Sequence, residues 1–345
     1  MIASRNRARA LFAALACLGA ALAHADGAVR LKIATLAPKG SVYHRVLQDI
    51  AEAVKAGEGG SASYAIYTDG TSGGEADVVR RMRVGQLNAA LLSTVGLSEV
   101  DPSVSVLQKL PLLFRSSEEV EYVGRALRPE LERRLADKGF VAILWGEAGW
   151  VRFFSKQALA VPSDLKARRV FAWAGDPEQV ELMKRFGYHP VVLETADVVP
   201  SLETGLIDTV PLTPIFALAT QVDGLAPHMI DLRWAPITGA LLMTRSSWDA
   251  LHPATQAAVR QAAERGSAVL AAYQERADAE AIAAMQKRGL TVDRLSPAQE
   301  AEWQAFAQQL YPLLRGHTVP AETFDAAVQL LAEYRARSGG AARGR

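Results

Sequence analysis

The stretch PATQAAVRQAAERGSAVLAAYQERADAEAIAAMQK, residues 253–287, decides the fold class. After Pro253 it contains no further proline and a single glycine, Gly266. Its apolar residues recur mostly at three- and four-residue steps, which is the spacing of one face of an α-helix. Such a helix is about 50 Å long, more than one small lobe can cover. The stretch predicts a helix that joins two lobes, or a helix that is kinked near Gly266.

On the N-terminal side of this stretch, short apolar segments alternate with amphipathic ones. The predicted strands cover residues 31–36, 63–67, 89–93, 140–145, 169–173, 188–193 and 209–212. The predicted helices are a segment capped by Ser41, a segment from Glu75 to Gly85, and residues 117–138, 177–186 and 196–204. Strands that alternate with helices form parallel sheets with helices on their faces. The sequence therefore predicts an α/β fold.

The N-terminus has the pattern of a secretory signal peptide. Three arginines within the first nine residues precede an apolar stretch, residues 10–23, and Ala23-His24-Ala25 is a small-x-small cleavage pattern. The apolar stretch is shorter than the roughly 20 residues of a membrane span. We expect cleavage near Ala25 and a periplasmic mature chain. A permanent anchor helix and lipoprotein processing at Cys17 are the alternatives.

Removal of residues 1–25 restricts the chemistry of the mature chain. The segment contains Cys17, the single cysteine, and three arginines without an acidic residue, so the formal charge changes from +1 to −2. No thiol then remains for a disulfide, a nucleophile or a metal site. A near-neutral chain lacks the basic stripe of nucleic-acid-binding proteins. We therefore expect no nucleic-acid partner. No later segment has the apolar length of a membrane span, so we also expect no membrane span in the mature chain.

Motifs of catalysis and cofactor binding are missing from the sequence. The histidines that follow the signal peptide lack zinc-site spacing, and no Gly-x-Ser-x-Gly elbow occurs. The glycine-rich run 70–74 lacks the dinucleotide pattern and a following lysine. It is either a plain turn or a helix start that binds a polar ligand. Paired carboxylates fall mostly on amphipathic helices, where solvent covers them. We predict no cofactor, no metal and no enzymatic activity.

Aromatic side chains cluster where two predicted strands end. Residues 144–155 contain two tryptophans, two phenylalanines and Arg152 around two glycines. The strand 169–173 places Arg169, Phe171 and Trp173 on one face. Ligands of open α/β sheets bind at the ends of strands. The cluster predicts the wall of a pocket, with ordinary hydrophobic core as the alternative.

Six short stretches follow one another along the chain: KIAT (32–35), GTSGGE (70–75), MRVGQL (82–87), LPLLF (110–114), PSDLK (162–166) and LETGLID (202–208). Each is modest alone. In order and spacing they resemble the solute-binding subunit of tripartite ATP-independent periplasmic (TRAP) transporters, of the DctP type. The resemblance covers the chain from about Leu31 to Tyr311.

This resemblance implies a two-lobed periplasmic binding protein whose lobes are joined by crossing strands and one long helix. The implied lobe I is 26–150 plus 235–260, and lobe II is 151–234 plus 261–315, with helix 253–287 shared. A signal peptide, 1–25, precedes them, and a C-terminal helix with a frayed tail, 316–345, follows. The implied partners are a small organic acid in the cleft and the small and large membrane subunits of the transporter.

The chain departs from the resemblance at two ligand positions. Family members carry a carboxylate-binding arginine in the strand after the Asp-Leu-Lys-Gly stretch, and that position here is Phe171. The asparagine expected after Asp208 is also missing. Either the pocket takes an apolar or aromatic ligand, or Arg152 or Arg169 replaces the missing arginine. We expect an organic acid with a sizeable apolar part, held by Arg152 and aromatic walls.

The predicted ligand-binding residues are Tyr43, Glu75, Ser93, Thr94, Trp150, Arg152, Phe171, Trp173, Asp176, Thr213 and Trp234. Two other functions stay open beside the transport receptor. The lost arginine allows an exported scaffold or interaction subunit that no longer binds a solute. An exported α/β hydrolase or lyase is the second alternative, against which the missing catalytic motifs argue.

Overall fold

A computed structural model of the chain describes residues 30–342. The predicted signal peptide, with Cys17, lies outside the described residues. The strands are β1 (Arg30–Thr35), β2 (Ser63–Tyr67), β3 (Ala89–Ser93), β4 (Phe140–Trp150), β5 (Arg152–Ser155), β6 (Arg169–Trp173), β7 (His189–Leu193), β8 (Thr209–Leu212), β9 (His228–Ile230), β10 (Pro236–Thr244) and β11 (Thr291–Asp293).

The α-helices are α1 (Val42–Gly57), α2 (Glu75–Arg83), α3 (Thr94–Ser98), α4 (Ser117–Asp137), α5 (Pro177–Arg185), α6 (Val198–Thr204), α7 (Pro214–Ala219), α8 (Arg245–Asp249), α9 (Pro253–Gln286), α10 (Pro297–Leu314) and α11 (Ala321–Ala342). Short 3₁₀ turns cover Pro102–Leu107, Pro162–Ala167, Thr195–Asp197 and Val222–Gly224. None of the helices within residues 30–342 is both long and apolar enough to cross a membrane.

Lobe I is built on a five-stranded sheet in the order β2-β1-β3-β10-β4. β1 pairs in parallel with β2 and β3, whereas β10 runs antiparallel to β3 and β4. β10 was not predicted from the sequence. Its central residues, Ala240 to Leu242, have no exposed surface, so a continuous apolar run replaces the alternation that marks a half-exposed strand.

Lobe II is built on a six-stranded sheet in the order β11-β9-β5-β8-β6-β7. The chain enters this lobe between β4 and β5 at Val151, and it leaves between β9 and β10. The two crossings are hydrogen-bonded to each other, because Val151 N donates to Ala235 O at 2.8 Å and Trp234 N donates to Val151 O at 3.0 Å. We call these two crossings, together with the part of α9 beside them, the hinge.

The long helix predicted from residues 253–287 is present as α9, which has 34 residues and continues without a break through Gly266. Val259 and Leu270 of this helix belong to the core of lobe I, and Met285 belongs to the core of lobe II. A Cβ on Gly266 would lie 2.6 Å from Val46 Cγ1, so the glycine allows α9 to pack closely on α1. The two-lobed α/β fold with a shared helix is therefore confirmed.

The helix α10 also contacts both lobes. The indole Nε1 of Trp303, a fully buried residue, donates to Ala160 O of lobe II at 3.0 Å. The hydroxyl of Tyr311, further along the same helix, donates to Pro111 O of lobe I at 2.8 Å. The following helix, α11, packs against α4 and continues to Ala342, through much of the segment predicted to be frayed. The exact lobe boundaries stay a prediction.

Candidate ligand-binding cavity between the lobes

The candidate ligand site is a cavity of about 220 Å³ between the two lobes. Its walls are mostly apolar and come from both lobes, from the hinge and from α10: Val95, Val151, Phe153, Phe171, Trp173, Pro211, Trp234, Ile237, Phe306 and Leu310. Pockets for drug-sized ligands have roughly 300–1,000 Å³. The cavity is therefore suited to a small and largely apolar molecule.

One wall of this cavity consists of packed aromatic rings. The ring centres of Phe153 and Trp234 are 5.6 Å apart, and Trp234 stacks on Phe306 at 6.1 Å. Behind them, Trp303 lies 5.5 Å from Phe153. Each ring is held by a neighbour in an edge-on or stacked geometry, which stabilises the wall beyond simple burial. These contacts hold the rings of the wall in place.

A buried ion pair lies at the polar part of the cavity and joins the lobes. Lys109 Nζ of lobe I is 3.0 Å from Asp176 Oδ1 of lobe II, and the side chains are only 15% and 6% exposed. Asp176 also precedes α5, where its Oδ1 accepts a hydrogen bond from Gln179 N at 3.2 Å. Among residues 30–342, Lys109 is the only basic residue that lines the cavity. We call Lys109 and Asp176 the cavity pair.

Two more polar side chains at the cavity have donors that the protein does not use. Gln108 accepts a hydrogen bond from Thr238 N through its Oε1 at 3.3 Å, which leaves its amide N–H groups free. Within residues 30–342, neither that amide nor the indole N–H of Trp173 donates to a protein acceptor. The cavity therefore offers unused donors from both lobes beside the cavity pair.

Arg152, expected to hold the ligand, does not line the cavity. Val151 and Phe153 do, and successive side chains of a strand point to opposite faces of the sheet. Arg152 Nη1 instead donates to Asp231 Oδ1 at 3.3 Å, and Asp278 of α9 is near enough to interact with it electrostatically. Burial lowers the pKa of Arg152 and raises the pKa of Asp278. We call Arg152, Asp231 and Asp278 the hinge cluster.

Trp150 is part of the hinge and not of the cavity wall. Its backbone N donates to Asp278 Oδ2 at 3.1 Å, and its indole Nε1 donates to Ser117 Oγ at 3.4 Å. The guanidinium of Arg233 lies 5.7 Å from the centre of its ring. The aromatic run in residues 144–155 therefore divides between two sites, because Phe153 lines the cavity and Trp150 fixes the crossing strand to α9.

Glu75, Ser93 and Thr94 form an internal network in lobe I. The buried carboxylate of Glu75 accepts hydrogen bonds from Ser93 N at 2.7 Å, Ser93 Oγ at 2.6 Å and Gly96 N at 2.9 Å. Burial raises its pKa, and these bonds act in the opposite direction. Thr94 Oγ1 is 2.7 Å from Thr238 Oγ1. The three predicted residues tie α2 to the start of α3 and do not line the cavity.

The remaining polar predictions also lie away from the cavity. The Tyr43 hydroxyl donates to Glu147 O at 3.2 Å, and burial raises its pKa. Thr213 directly precedes α7 without capping it through its side chain. Arg169, the second candidate for the missing arginine, is exposed, and its Nε is 3.2 Å from Asp208 Oδ2.

Four of the predicted ligand residues line the cavity, namely Phe171, Trp173, Asp176 and Trp234. Their contact with a ligand stays a prediction. Sequence reasoning missed Gln108 and Lys109, which directly precede the LPLLF stretch but show no spacing that marks a site. Within residues 30–342, no three His, Cys, Asp or Glu side chains are grouped so that they could hold a metal ion.

Two lobes around a cavity, joined by a hinge and a shared helix, define a periplasmic-type solute-binding protein. The sequence profile of the DctP family, described as bacterial extracellular solute-binding protein, family 7, matches residues 33–315. The chain belongs to this family. The resemblance to TRAP solute-binding subunits is confirmed, and the family is one of solute receptors.

Comparisons with individual proteins agree with this assignment. A solute-binding protein from Verminephrobacter eiseniae is 26% identical over 276 residues, which are 79% of this chain and 81% of that protein. A TRAP periplasmic solute-binding protein from Shewanella oneidensis with bound succinate has a TM-score of 0.80 at 17% identity, covering 88% of this chain and 100% of that chain. A TRAP periplasmic solute-binding protein from Ralstonia eutropha H16 with bound (S)-2-acetolactate has a TM-score of 0.80 at 20% identity, covering 88% of this chain and 99% of that chain. At these identities the two structures show a shared fold.

Proposed function

We propose that this chain is the periplasmic receptor of a TRAP transporter for a small carboxylic acid with an apolar body. The observation that carries the proposal is the composition of the cavity, in which apolar and aromatic walls surround one basic side chain, Lys109. The similar proteins from Shewanella oneidensis and Ralstonia eutropha hold succinate and (S)-2-acetolactate, both small organic acids.

Lys109 is the carboxylate anchor in this proposal. Phe171 is apolar, Arg152 belongs to the hinge cluster, and Arg169 is exposed, so none of these residues supplies a cation to the cavity. An ammonium group has three N–H donors, and Lys109 uses one of them on Asp176. A ligand carboxylate can accept from the others. A hydrogen bond to a charged group contributes about 1.5–3 kcal/mol.

The ligand would also hold the two lobes together. Lys109 and Gln108 belong to lobe I, whereas Phe171 and Trp173 belong to lobe II. A molecule that contacts both sets favours the closed arrangement, because only that arrangement offers all of the contacts at once. In the proposal, export by the signal peptide with cleavage near Ala25 precedes binding, and the closed receptor then delivers the acid to the small and large membrane subunits.

Calorimetric titration with a panel of acids tests this function. We expect branched and aromatic monocarboxylates to bind more tightly than succinate. Lys109→Met should weaken the binding of the best acid by about 10- to 100-fold and leave the affinity for its neutral amide unchanged. Lys166→Met, which removes an exposed lysine away from the cavity, is the matched control.

Each other outcome points to a different function or anchor. Tight binding of dicarboxylates alone would contradict the apolar body of the ligand. A large loss of affinity in Arg152→Met together with none in Lys109→Met would move the anchor to the hinge. If no acid binds, the exported scaffold without a solute becomes the better function. Chemical conversion of the recovered acid, detected by mass spectrometry, would instead support the hydrolase.

A further inference from the structure

Building on the acid receptor proposed above, we infer that the ligand carries a hydroxyl or ammonium group on the carbon next to its carboxylate. The structural feature behind this inference is Asp176, an acidic side chain in contact with Lys109, which is the only basic side chain that the described part of the chain contributes to the cavity. A site for a carboxylate alone gains nothing from a second carboxylate beside its anchor, because like charges repel.

Asp176 is fixed by the protein through only one of its two oxygens. Oδ1 accepts hydrogen bonds from Lys109 Nζ at 3.0 Å and from Gln179 N at 3.2 Å. No group within residues 30–342 donates to Oδ2. The residue is 5% exposed and lines the cavity, so a donor for Oδ2 has to approach through the cavity. Oδ2 is not one of the fully buried unpaired atoms of the described residues, so it has accessible surface in the cavity and a ligand donor can reach it.

Donors for the ligand carboxylate line the same cavity as this acceptor. Lys109 has N–H groups beyond the one that contacts Asp176, and the amide of Gln108 and the indole N–H of Trp173 have no acceptor within the described residues. The Gln108 amide is oriented, because its Oε1 accepts from Thr238 N. The cavity therefore presents several donors together with the acceptor Oδ2 of Asp176.

This arrangement matches two neighbouring ligand groups of opposite hydrogen-bonding character. Lys109 Nζ and Asp176 Oδ1 are 3.0 Å apart, about one hydrogen-bond length. A carboxylate and a donor on the adjacent carbon are separated by a similar distance, so the first can face Lys109 while the second faces Asp176. A site built to bond such a donor discriminates strongly against the analogue that lacks it. Asp176 is thus a specificity-determining residue.

Four probes on related branched skeletons test the inference by calorimetric titration: 4-methylpentanoate, 2-hydroxy-4-methylpentanoate, 3-hydroxy-4-methylpentanoate and leucine. We expect at least one of the two 2-substituted probes to bind about tenfold or more tightly than 4-methylpentanoate. The 3-hydroxy acid should show no such advantage, since its donor is one carbon too far away. The comparison of 2-hydroxy-4-methylpentanoate with leucine identifies which donor the site accepts.

Two substitutions of Asp176 separate its role in specificity from its role at α5. Asp176→Ser retains a side chain that can cap the helix, and Asp176→Asn retains the shape and removes the charge. In Asp176→Ser we expect the advantage of the 2-substituted probe to fall below about threefold, with 4-methylpentanoate bound more tightly than by the wild type. Asp176→Asn should show the same gain for 4-methylpentanoate. Glu181→Gln, at an exposed acidic residue of the same helix that does not line the cavity, should retain the wild-type preference.

The possible failures can be told apart. If the wild type binds 4-methylpentanoate and the 2-substituted probes equally well, the inference is wrong and the acid receptor stands. An advantage that persists in both Asp176 variants would likewise overturn it. If none of these probes and no acid of the earlier panel binds, the proposed function itself fails.

Discussion

The cavity pair and the hinge cluster are both charged groups between the lobes, yet they are placed for different tasks. Lys109 and Asp176 border the cavity, and within residues 30–342 some of their donor and acceptor groups have no protein partner. Arg152, Asp231 and Asp278 instead lie where the crossing strands meet α9, and Asp278 accepts from the backbone N of Trp150. The first pair is accessible from the cavity, and the second cluster joins the crossing strands to α9.

This difference shows that the strand face to which a side chain points decides whether it lines the cavity, whatever its residue type. Arg152 is the arginine within the aromatic run, and its two neighbours line the cavity, but the side chain itself points to the opposite face. Lys109 lies outside that run, in a segment between the 3₁₀ turn Pro102–Leu107 and the LPLLF stretch. A charge near a cluster of ligand-like residues is therefore not by itself a ligand residue.

The largest expected effect is on stability at the hinge cluster. Arg152→Met removes a buried cation that stabilises the carboxylate of Asp278, so we expect a loss of about 3 kcal/mol in the free energy of unfolding. Arg169→Met, at an exposed arginine that also pairs with an aspartate, should cost less than about 1 kcal/mol. Urea unfolding measures both. Equal losses of unfolding free energy in the two variants would contradict the different roles assigned to Arg152 and Arg169.

A second effect concerns pH and a carboxyl group on β4 close to the hinge. Burial, with a smaller effect of Glu121 and Glu118, raises the pKa of Glu147 from 4.5 to about 7. The folded protein binds this proton more tightly than the unfolded chain, so the contribution favours folding below pH 4.5 and is lost as the pH rises to 7. Between pH 4.5 and pH 7 we expect the free energy of unfolding of the wild type to fall by about 1–2 kcal/mol more than that of Glu147→Gln.

Urea unfolding at pH 5 and at pH 7.5 checks this contribution. Glu264→Gln, at an exposed position of α9 that does not act on Glu147, is the control and should follow the wild type closely. A constant difference between the wild type and Glu147→Gln across this range would show that Glu147 titrates normally.

A third effect would change the character of the cavity. Phe171→Arg places a second cation in the cavity, at the position where the family resemblance expects one, so we expect the affinity for succinate to rise about tenfold, or about 1.4 kcal/mol. Phe171→Leu preserves the apolar wall and should produce no gain. Titration calorimetry compares the three proteins. An unchanged preference in Phe171→Arg would place residue 171 outside the ligand's reach.

The smallest expected effect is the loss of stability caused by a substitution in the cavity pair, which is compared with the loss at the hinge cluster. Lys109→Met should lower the free energy of unfolding of the ligand-free protein by only about 1 kcal/mol, because Asp176 still accepts from Gln179 N and borders the cavity. The same substitution has its main effect on ligand affinity. If Lys109→Met destabilised the protein as strongly as Arg152→Met, the cavity pair would be a structural joint as well.

Much of the fold was predictable because local patterns determined it. The strands at residues 63–67, 89–93, 169–173 and 209–212 were predicted with the bounds that the structure has. The helix α9 followed from its length and periodicity. β4 extends further than predicted, to Trp150, and β10 was missed, because neither has the alternation of a half-exposed strand.

The site was less predictable because it depends on contacts between distant parts of the chain. Phe171, Trp173 and Asp176 lie at the end of one strand, so the sequence brought them together. Lys109 reaches Asp176 only after the lobes have folded and met. Glu75 and Ser93 looked available for a ligand, but they bond to each other, and sequence alone does not reveal that such donors and acceptors are already used.

The helix α10 sets a limit on how far this receptor can open. Trp303 is bonded to Ala160 in one lobe, and Tyr311 is bonded to Pro111 in the other, while about 12 Å of rigid helix separates the two bonds. Wide separation of the lobes must therefore break the hydrogen bond at one end of α10. In a fluorescent biosensor made from the protein, the lobes would move only a short distance on ligand binding. The reporter dye therefore belongs at the mouth of the cavity and not at the outer tips of the lobes.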